Sequence, residues 1–146
     1  MKFALDVKND RKVADGIIDL GGRATSAQPV LTAASEVLQA GLARNFRSRG
    51  GALGAPWSAR VDGSPATLQG ETGGLEAALT GGDGSFKRTT ATMGIAGARG
   101  DSAFIARFHQ GGTTRGLPAR KVVGVSDTDQ AVLLKMVERY LLGNQS

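Results

Sequence analysis

The single histidine of the chain, His109, lies in the stretch whose residue types come closest to a chemical site. That stretch runs from Phe104 to Ser126 and reads F-I-A-R-F-H-Q-G-G-T-T-R-G-L-P-A-R-K-V-V-G-V-S. An imidazole can transfer a proton or bind a metal, and it can also order a turn by hydrogen bonding to a backbone carbonyl or to the adjacent Gln110. The sequence alone leaves both roles open.

The residues around His109 do not complete a catalytic pattern. Ser102 and the other serines lack the G-x-S-x-G surroundings of an activated nucleophile. Asp101 and His109 lack the H-E-x-x-H or paired-histidine spacing of a metal site, and the chain has no cysteine. The glycine-rich segment 94–100 lacks the lysine and the Ser/Thr of a phosphate-binding loop. We therefore expect no enzymatic activity, no cofactor and no metal site.

The chain carries a net charge of +5, from 18 Lys and Arg against 13 Asp and Glu, and the excess is clustered. One cluster brackets a loop and comprises Arg44, Arg47, Arg49 and Arg60, and the other comprises Arg99, Arg107, Arg115, Arg120 and Lys121. Either cluster suits a phosphate, an acidic protein surface or solvent alone. Arg120 follows Pro118, whose fixed φ helps to direct the chain, so its guanidinium suits either a carboxylate across a subunit boundary or an ion pair within the chain.

Two apolar patterns in the first third of the chain predict helices. A short helix begins near Val13 and stops after Leu20, at Gly21-Gly22. A long helix begins at a Ser26 cap, with Pro29 in its first turn, and ends near Arg49. The apolar stripe of the long helix comprises Val30, Leu31, Ala34, Val37, Leu38, Leu42 and Phe46.

A further helix is predicted near the C-terminus, after a Ser126 cap. Asp127 and Asp129 suit its first turn, where the helix dipole favours acids, better than they suit a metal site or an acid/base pair. The apolar face of this helix comprises Val132, Leu133, Met136, Val137, Tyr140 and Leu141, and Gly143 ends it.

Strands are predicted at the N-terminus and in the second half of the chain. Residues 2–7 alternate apolar and polar side chains, and 75–80 with 86–95 read as a hairpin around the glycine-rich turn 81–84. Residues 121–125 read as a last strand, whereas 103–108 fits either a helix or a strand. The intervening segment 54–70 reads as a long loop held by its one large apolar side chain, Trp57.

These elements predict one α+β domain over residues 1–146, with a small, mainly antiparallel sheet packed by a long N-terminal-half helix and a C-terminal helix. The 22 glycines predict loops that can gain order from neighbouring subunits. The start of the chain meets charge too early for a signal peptide, and no apolar run reaches the roughly 18 residues of a membrane span. We expect synthesis in the cytoplasm without export and no contact with a membrane.

Four short blocks occur in a recognisable order: Phe46 with Ala55-Pro56-Trp57, Thr72-Gly73-Gly74-Leu75, Phe108-His109-Gln110-Gly111, and Leu117-Pro118-Ala119-Arg120. Their order resembles that of the virion-morphogenesis or tail-completion proteins of Mu-like tailed phages, and the resemblance covers residues 28–142 in outline. The chain departs from that family at Gly111, where a bulky residue is usual, and at Lys121, where a proline is usual.

The resemblance implies a virion protein of the head-tail junction: a tail-completion, tail-terminator or neck component that forms a homo-oligomeric ring, commonly a hexamer, around the axial channel. Its implied partners are copies of itself, the connector or neck proteins and the tail-tube proteins, with transient contact to passing DNA. The candidate interface or lumen residues are Arg107, His109, Gln110, Arg115, Arg120 and Lys121. The candidate structural anchors are Phe46, Trp57, Leu75, Phe108 and Pro118.

Two alternatives remain open at the level of sequence. The basic balance and the Arg44 to Arg60 cluster also suit a small nucleic-acid-binding module, although no helix-turn-helix or aromatic RNA-binding pattern is present. A morphogenesis factor that assists assembly and is absent from the mature virion is the other alternative.

Overall fold

A computed structural model describes residues 10–60, 62–65, 68 and 73–143 of the chain. Within these residues the elements are α1 (Asp10–Thr25), α2 (Gln28–Arg47), a 3₁₀ turn (Gly51–Leu53), α3 (Gly74–Thr80), β1 (Ser85–Thr89), β2 (Gly94–Ala98), α4 (Gly100–Gly111) and α5 (Asp127–Leu142). The predicted α+β class is confirmed. The predicted strand at 2–7 lies outside the described residues, and none of the described helices has the length and apolar character needed to cross a membrane.

Helix α2 is the element that the others surround. It contacts α3, α5 and both strands, and α5 reaches the sheet only through α2. Pro29 lies in its first turn, as predicted, because proline lacks the N–H that would go unused there. The predicted Ser26 cap is wrong: Ala27 is the N-cap, and the carbonyl of Ser26 instead accepts a hydrogen bond from the Tyr140 hydroxyl at 2.5 Å.

The hydrophobic core forms where α2 meets α3, α4 and the long loop. Phe46 and Trp57 pack edge to face, with ring centroids 5.3 Å apart. The core cluster comprises Leu42, Phe46, Trp57, Leu75, Leu79, Ala106 and Val122. Three of the predicted anchors therefore lie in the core, whereas Phe108 is 41% exposed and Pro118 is half-buried outside it.

The predicted hairpin is displaced along the chain. Residues 75–80 form helix α3 rather than a strand, because Leu75, Ala78 and Leu79 recur at helical spacing and all three are buried. Strands β1 and β2 form the hairpin instead, in an antiparallel register that pairs Ser85 with Ala98 and Thr89 with Gly94. The glycine turn at 81–84 therefore links α3 to β1.

Three further predictions are settled by the structure. Helix α1 does not stop at Gly21-Gly22 but continues to Thr25, whose hydroxyl donates to the carbonyl of Gly22 at 2.9 Å. The segment 103–108, which the sequence left open, is helical and belongs to α4. The strand predicted at 121–125 is wrong: this segment joins no sheet, and side chains rather than a neighbouring strand bind its backbone.

Helices α2 and α5 interlock through a buried carboxylate. Asp129 in the first turn of α5 accepts hydrogen bonds from the Arg44 guanidinium and from the Ser126 hydroxyl, and it is 6% exposed. Ser126 caps α5 as predicted, with its hydroxyl accepting from the Asp129 amide at 3.1 Å. Gly41 on α2 leaves room for this approach, since a Cβ there would lie 2.7 Å from Asp129 Oδ2.

Replacing Gly41 by alanine should loosen this interlock. The methyl group would displace the Asp129 carboxylate from Arg44, and that loss should exceed the gain of about 1 kcal/mol in helix propensity. We expect Gly41→Ala to lower the free energy of unfolding by about 1–2 kcal/mol in urea denaturation. Gly51→Ala is the control, because its Cβ meets only Ser48 at an ordinary 3.5 Å. Equal stability of the two variants would contradict the interlock.

Candidate functional site

The segment 119–125 is held by side chains that come from distant parts of the chain. The carbonyl of Lys121 accepts two hydrogen bonds, from Asn45 Nδ2 at 2.9 Å and from Trp57 Nε1 at 3.0 Å. Asn45 is fully buried, so its amide is a fixed part of the core rather than a surface group. A carbonyl with two acceptor positions thus joins helix α2 to the long loop.

Gln110, at the end of α4, binds the same segment from the other side. Its Oε1 accepts from the amides of Val122 and Val123, each at 2.9 Å, and its Nε2 donates to the carbonyl of Val123 at 2.9 Å. These three bonds take the place of strand pairing. Since Val122 is fully buried, its amide has no water to bind if Gln110 is removed.

Arg120 is placed differently from both sequence-based alternatives. Its side chain is 5% exposed, and its guanidinium donates to the carbonyls of Ser58 at 3.1 Å and Ala59 at 3.3 Å. Among the described residues it therefore has no ion-pair partner, and its guanidinium is buried within the chain. The physical reason is that the loop after Trp57 turns its carbonyls towards the guanidinium, whose donors suit several acceptors at once.

His109 lies beside these contacts. Its backbone carbonyl accepts from the Arg120 amide at 2.6 Å, whereas its buried Nδ1 has no hydrogen-bond partner in the part of the chain that the structure describes, so the predicted bond from the ring to a carbonyl or to Gln110 is not formed at this nitrogen. Burial lowers the pKa of His109 from its ordinary value, and the positive charge of Arg120 lowers it further. The ring is therefore held in its neutral form. Among the described residues no group of three or more His, Cys, Asp or Glu is arranged to hold a metal ion.

The turn between α4 and Arg120 depends on one glycine. Gly112 has a φ of +67°, and a Cβ there would lie 2.8 Å from the Leu117 carbonyl and 2.9 Å from the Ala119 amide. The turn is closed by the Thr113 amide, which donates to the Leu117 carbonyl at 2.9 Å. The F-H-Q-G-G and L-P-A-R blocks thus belong to one structural clamp, which we define as Asn45, Trp57, Gln110, Gly112, Arg120 and the residues they bind.

The structure brings members of the two basic clusters together around Trp57. The Trp57 amide donates to the Arg49 carbonyl at 2.6 Å, and its indole donates to the Lys121 carbonyl at 3.0 Å. We define the basic rim as the exposed residues Arg47, Arg49, Arg60 and Lys121. The remaining candidates, Arg107 and Arg115, are exposed but make no contact with Trp57 in the described structure.

A groove lies between β2 and α4, with a volume of about 290 Å³. We call it the α4 groove. Its lining is mostly apolar, and its polar side chains are Arg107 and Gln110. Since Gln110 is committed to the backbone of Val122 and Val123, the groove lacks the converging polar groups of a catalytic cleft.

The clamp residues that the sequence analysis missed are Asn45 and Val122. Asn45 did carry a signal, because it lies three residues after Leu42 and next to Phe46, and so beside the apolar stripe of the helix. A buried amide at such a position needs a partner, although the sequence does not say which one.

The sequence model of the phage virion morphogenesis family matches residues 8–142. The chain belongs to this family. The match covers α1 to α5, so the resemblance of the four blocks is confirmed and the first helix is included as well. No curated protein and no solved structure matches the chain. In this virion-morphogenesis protein, the Phe-His-Gln-Gly and Leu-Pro-Ala-Arg blocks supply Gln110 and Arg120 of the clamp.

Removing the amide of Gln110 should destabilise the fold. In Gln110→Ala the buried Val122 amide loses its acceptor, and we expect the free energy of unfolding to fall by about 1–3 kcal/mol. Gln130→Ala on the exposed face of α5 is the matched control and should change stability by no more than about 0.5 kcal/mol. Urea denaturation measures both. An unchanged stability of Gln110→Ala would show that the clamp is not needed for the fold.

The lowered pKa of His109 predicts a loss of stability in mild acid. Because the folded chain resists protonation, the unfolded chain binds the proton more readily once the pH falls below the ordinary pKa of 6.5. The stability is complete above pH 6.5 and declines as the pH falls towards the lower pKa of the folded state. His109→Gln removes this titration, so its Tm should fall less between pH 7 and pH 5 than that of the wild type. Parallel Tm curves would contradict the prediction.

Proposed function

We propose that the protein is a structural subunit of the phage head-tail junction, where copies form a homo-oligomeric ring that completes the tail or joins it to the head. Membership of the virion-morphogenesis family is the observation that carries this proposal. The clamp supports it, because the most distinctive residues of the chain hold its shape instead of exposing reactive groups. We infer a role in assembly without catalysis or a cofactor.

Exposed apolar side chains supply the surfaces for such assembly. Ile17 and Ile18 on α1 are 65% and 70% exposed, and Phe104 on α4 is 61% exposed. Leu134 and Leu142 on α5 are similarly open. Single exposed apolar residues are normal, but several on adjacent positions of the same helix indicate surfaces that other proteins cover.

The basic rim supports a position beside the DNA path. Arg49 and Lys121 lie beside Trp57, because their carbonyls accept hydrogen bonds from its amide and its indole. Arg47 and Arg60 are exposed as well and lie close by along the chain, just before Arg49 and just after Trp57. Arginine and lysine attract phosphates without reading sequence, so such a surface would tolerate any passing DNA. In a ring, we place the basic rim towards the channel.

The basic rim also favours the second candidate function, a nucleic-acid-binding module. Two measurements distinguish the ring subunit from the nucleic-acid-binding module: sedimentation velocity, and the affinity for duplex DNA across salt concentrations. The ring subunit should assemble with rising concentration into one closed species and bind duplex DNA weakly. A protein that stays monomeric and binds duplex with submicromolar affinity, falling steeply with salt, would instead be the module. Mass spectrometry of purified particles then distinguishes a component of the virion from a morphogenesis factor that is absent from the mature virion.

Charge reversal in the basic rim should impair particle function without unfolding the chain. We expect Arg60→Glu combined with Lys121→Glu to reduce the titre of infectious particles by roughly tenfold or more, because both side chains would then repel DNA phosphates. The free energy of unfolding should stay within about 0.5 kcal/mol of the wild type per exposed substitution. Lys135→Glu with Arg139→Glu, on α5, carries the same change in charge and is the control. Equal titres of the two double variants would rule out this orientation of the rim.

A further inference from the structure

We propose that the α4 groove of one chain binds helix α1 of a neighbouring copy, with Ile17 and Ile18 of the neighbour inserted between β2 and α4. The inference rests on the proposed ring and specifies the two surfaces that close it. The contact is heterologous, since a groove meets a helix, and repetition of a heterologous contact generates a ring when the rotation closes.

The shape of the groove suits aliphatic side chains. Its floor is formed by large residues of three elements, Leu42, Leu79 and Phe86. Both of its walls are built from small residues, which are Ala96, Gly97 and Ala98 on β2 and Ala103 and Ala106 on α4. Small side chains on facing walls leave a slot that a branched side chain from outside can fill, and filling it would remove apolar surface from water on both partners.

Helix α1 presents the matching surface. Ile17, Ile18 and Leu20 are 65%, 70% and 46% exposed, although they lie within one and a half turns of each other. Among the described elements α1 packs only against α5, so none of these elements covers its apolar surface.

The α1 helix cannot reach the groove of its own chain. Only Ser26 and Ala27 separate it from α2, and both are tied down. The Ser26 carbonyl accepts from the Tyr140 hydroxyl at 2.5 Å, and the Ala27 amide donates to the Ala91 carbonyl at 2.7 Å. An α1 helix that fills the groove must therefore come from another molecule.

The charges on the two surfaces are opposite. Arg107 lines the groove, and Arg99 lies over the ring of Phe86 at 5.3 Å from its centroid. On α1, Asp15 lies three residues before Ile18 and hence beside it on the helix, and Asp19 follows Ile18. Pairing a helix with a groove brings carboxylates to guanidinium groups, whereas pairing α1 with a second α1 brings carboxylates together. These charges therefore favour a contact between the α4 groove and the α1 helix of a second copy over a symmetric contact between two α1 helices.

Disulfide trapping tests the contact directly, because the chain contains no cysteine. Ile18→Cys and Ala103→Cys variants are mixed in equal amounts under mild oxidation. The mixture should yield a disulfide-linked dimer that neither variant forms alone, since the two sulfurs meet only across the proposed contact. Replacing Ala103→Cys by Asp83→Cys, in the exposed turn before β1, should abolish the product. A dimer of Ile18→Cys with itself would indicate the symmetric contact and overturn the inference.

Exchanging the charges of Arg107 and Asp15 provides a second test of the contact. Arg107→Glu and Asp15→Arg should each lower the fraction of protein in the ring at least tenfold at a concentration where the wild type assembles. An equimolar mixture should recover the ring, because alternating copies place opposite charges at every contact. If both single variants assemble like the wild type and no mixed disulfide forms, the ring uses other surfaces and only this inference fails. A wild type that never assembles would refute the proposed ring as well.

Discussion

The carbonyl of Lys121, which accepts hydrogen bonds from both Asn45 and Trp57, is the interaction on which the rest of the structure depends. It joins the buried face of α2 to the long loop and fixes the segment that leads into α5. Gln110 accepts hydrogen bonds from the amides of Val122 and Val123. The backbone of this segment is therefore held by hydrogen bonds, as in a strand, although the segment joins no sheet. Both donors are buried, so losing this acceptor would leave the Trp57 indole without water or partner and Asn45 Nδ2 with only a longer bond, of 3.4 Å, to the Val122 carbonyl.

In this arrangement the distinctive residues of the chain hold its shape. Arg120 is directed at loop carbonyls, and His109 is held neutral by burial and by the charge of Arg120. The exposed residues include the basic rim and the apolar side chains of α1 and α4. The proposed assembly into a virion uses these surfaces, and the family to which the chain belongs is one of virion morphogenesis.

The sequence predicted the elements whose information is local. The apolar stripe of α2 and the Ser126 cap of α5 follow from spacing within a few residues, and both are confirmed. The Ser26 cap predicted for α2 is wrong, because Ala27 is the N-cap. Residues 75–80 were misassigned because the glycine turn suggested a hairpin, while the spacing of Leu75, Ala78 and Leu79 already fitted a helix. The clamp could not be predicted from the sequence, because its hydrogen bonds join residues 45, 57 and 110 to 121–123 and depend on the tertiary fold.

Imaging the purified phage particle by cryo-electron microscopy, with averaging at the head-tail junction, tests the central claim most directly. The account predicts a closed ring of this fold around the channel, with the basic rim facing the DNA. A junction resolved well enough to trace its chains, with no copy of this fold in it, would contradict the account.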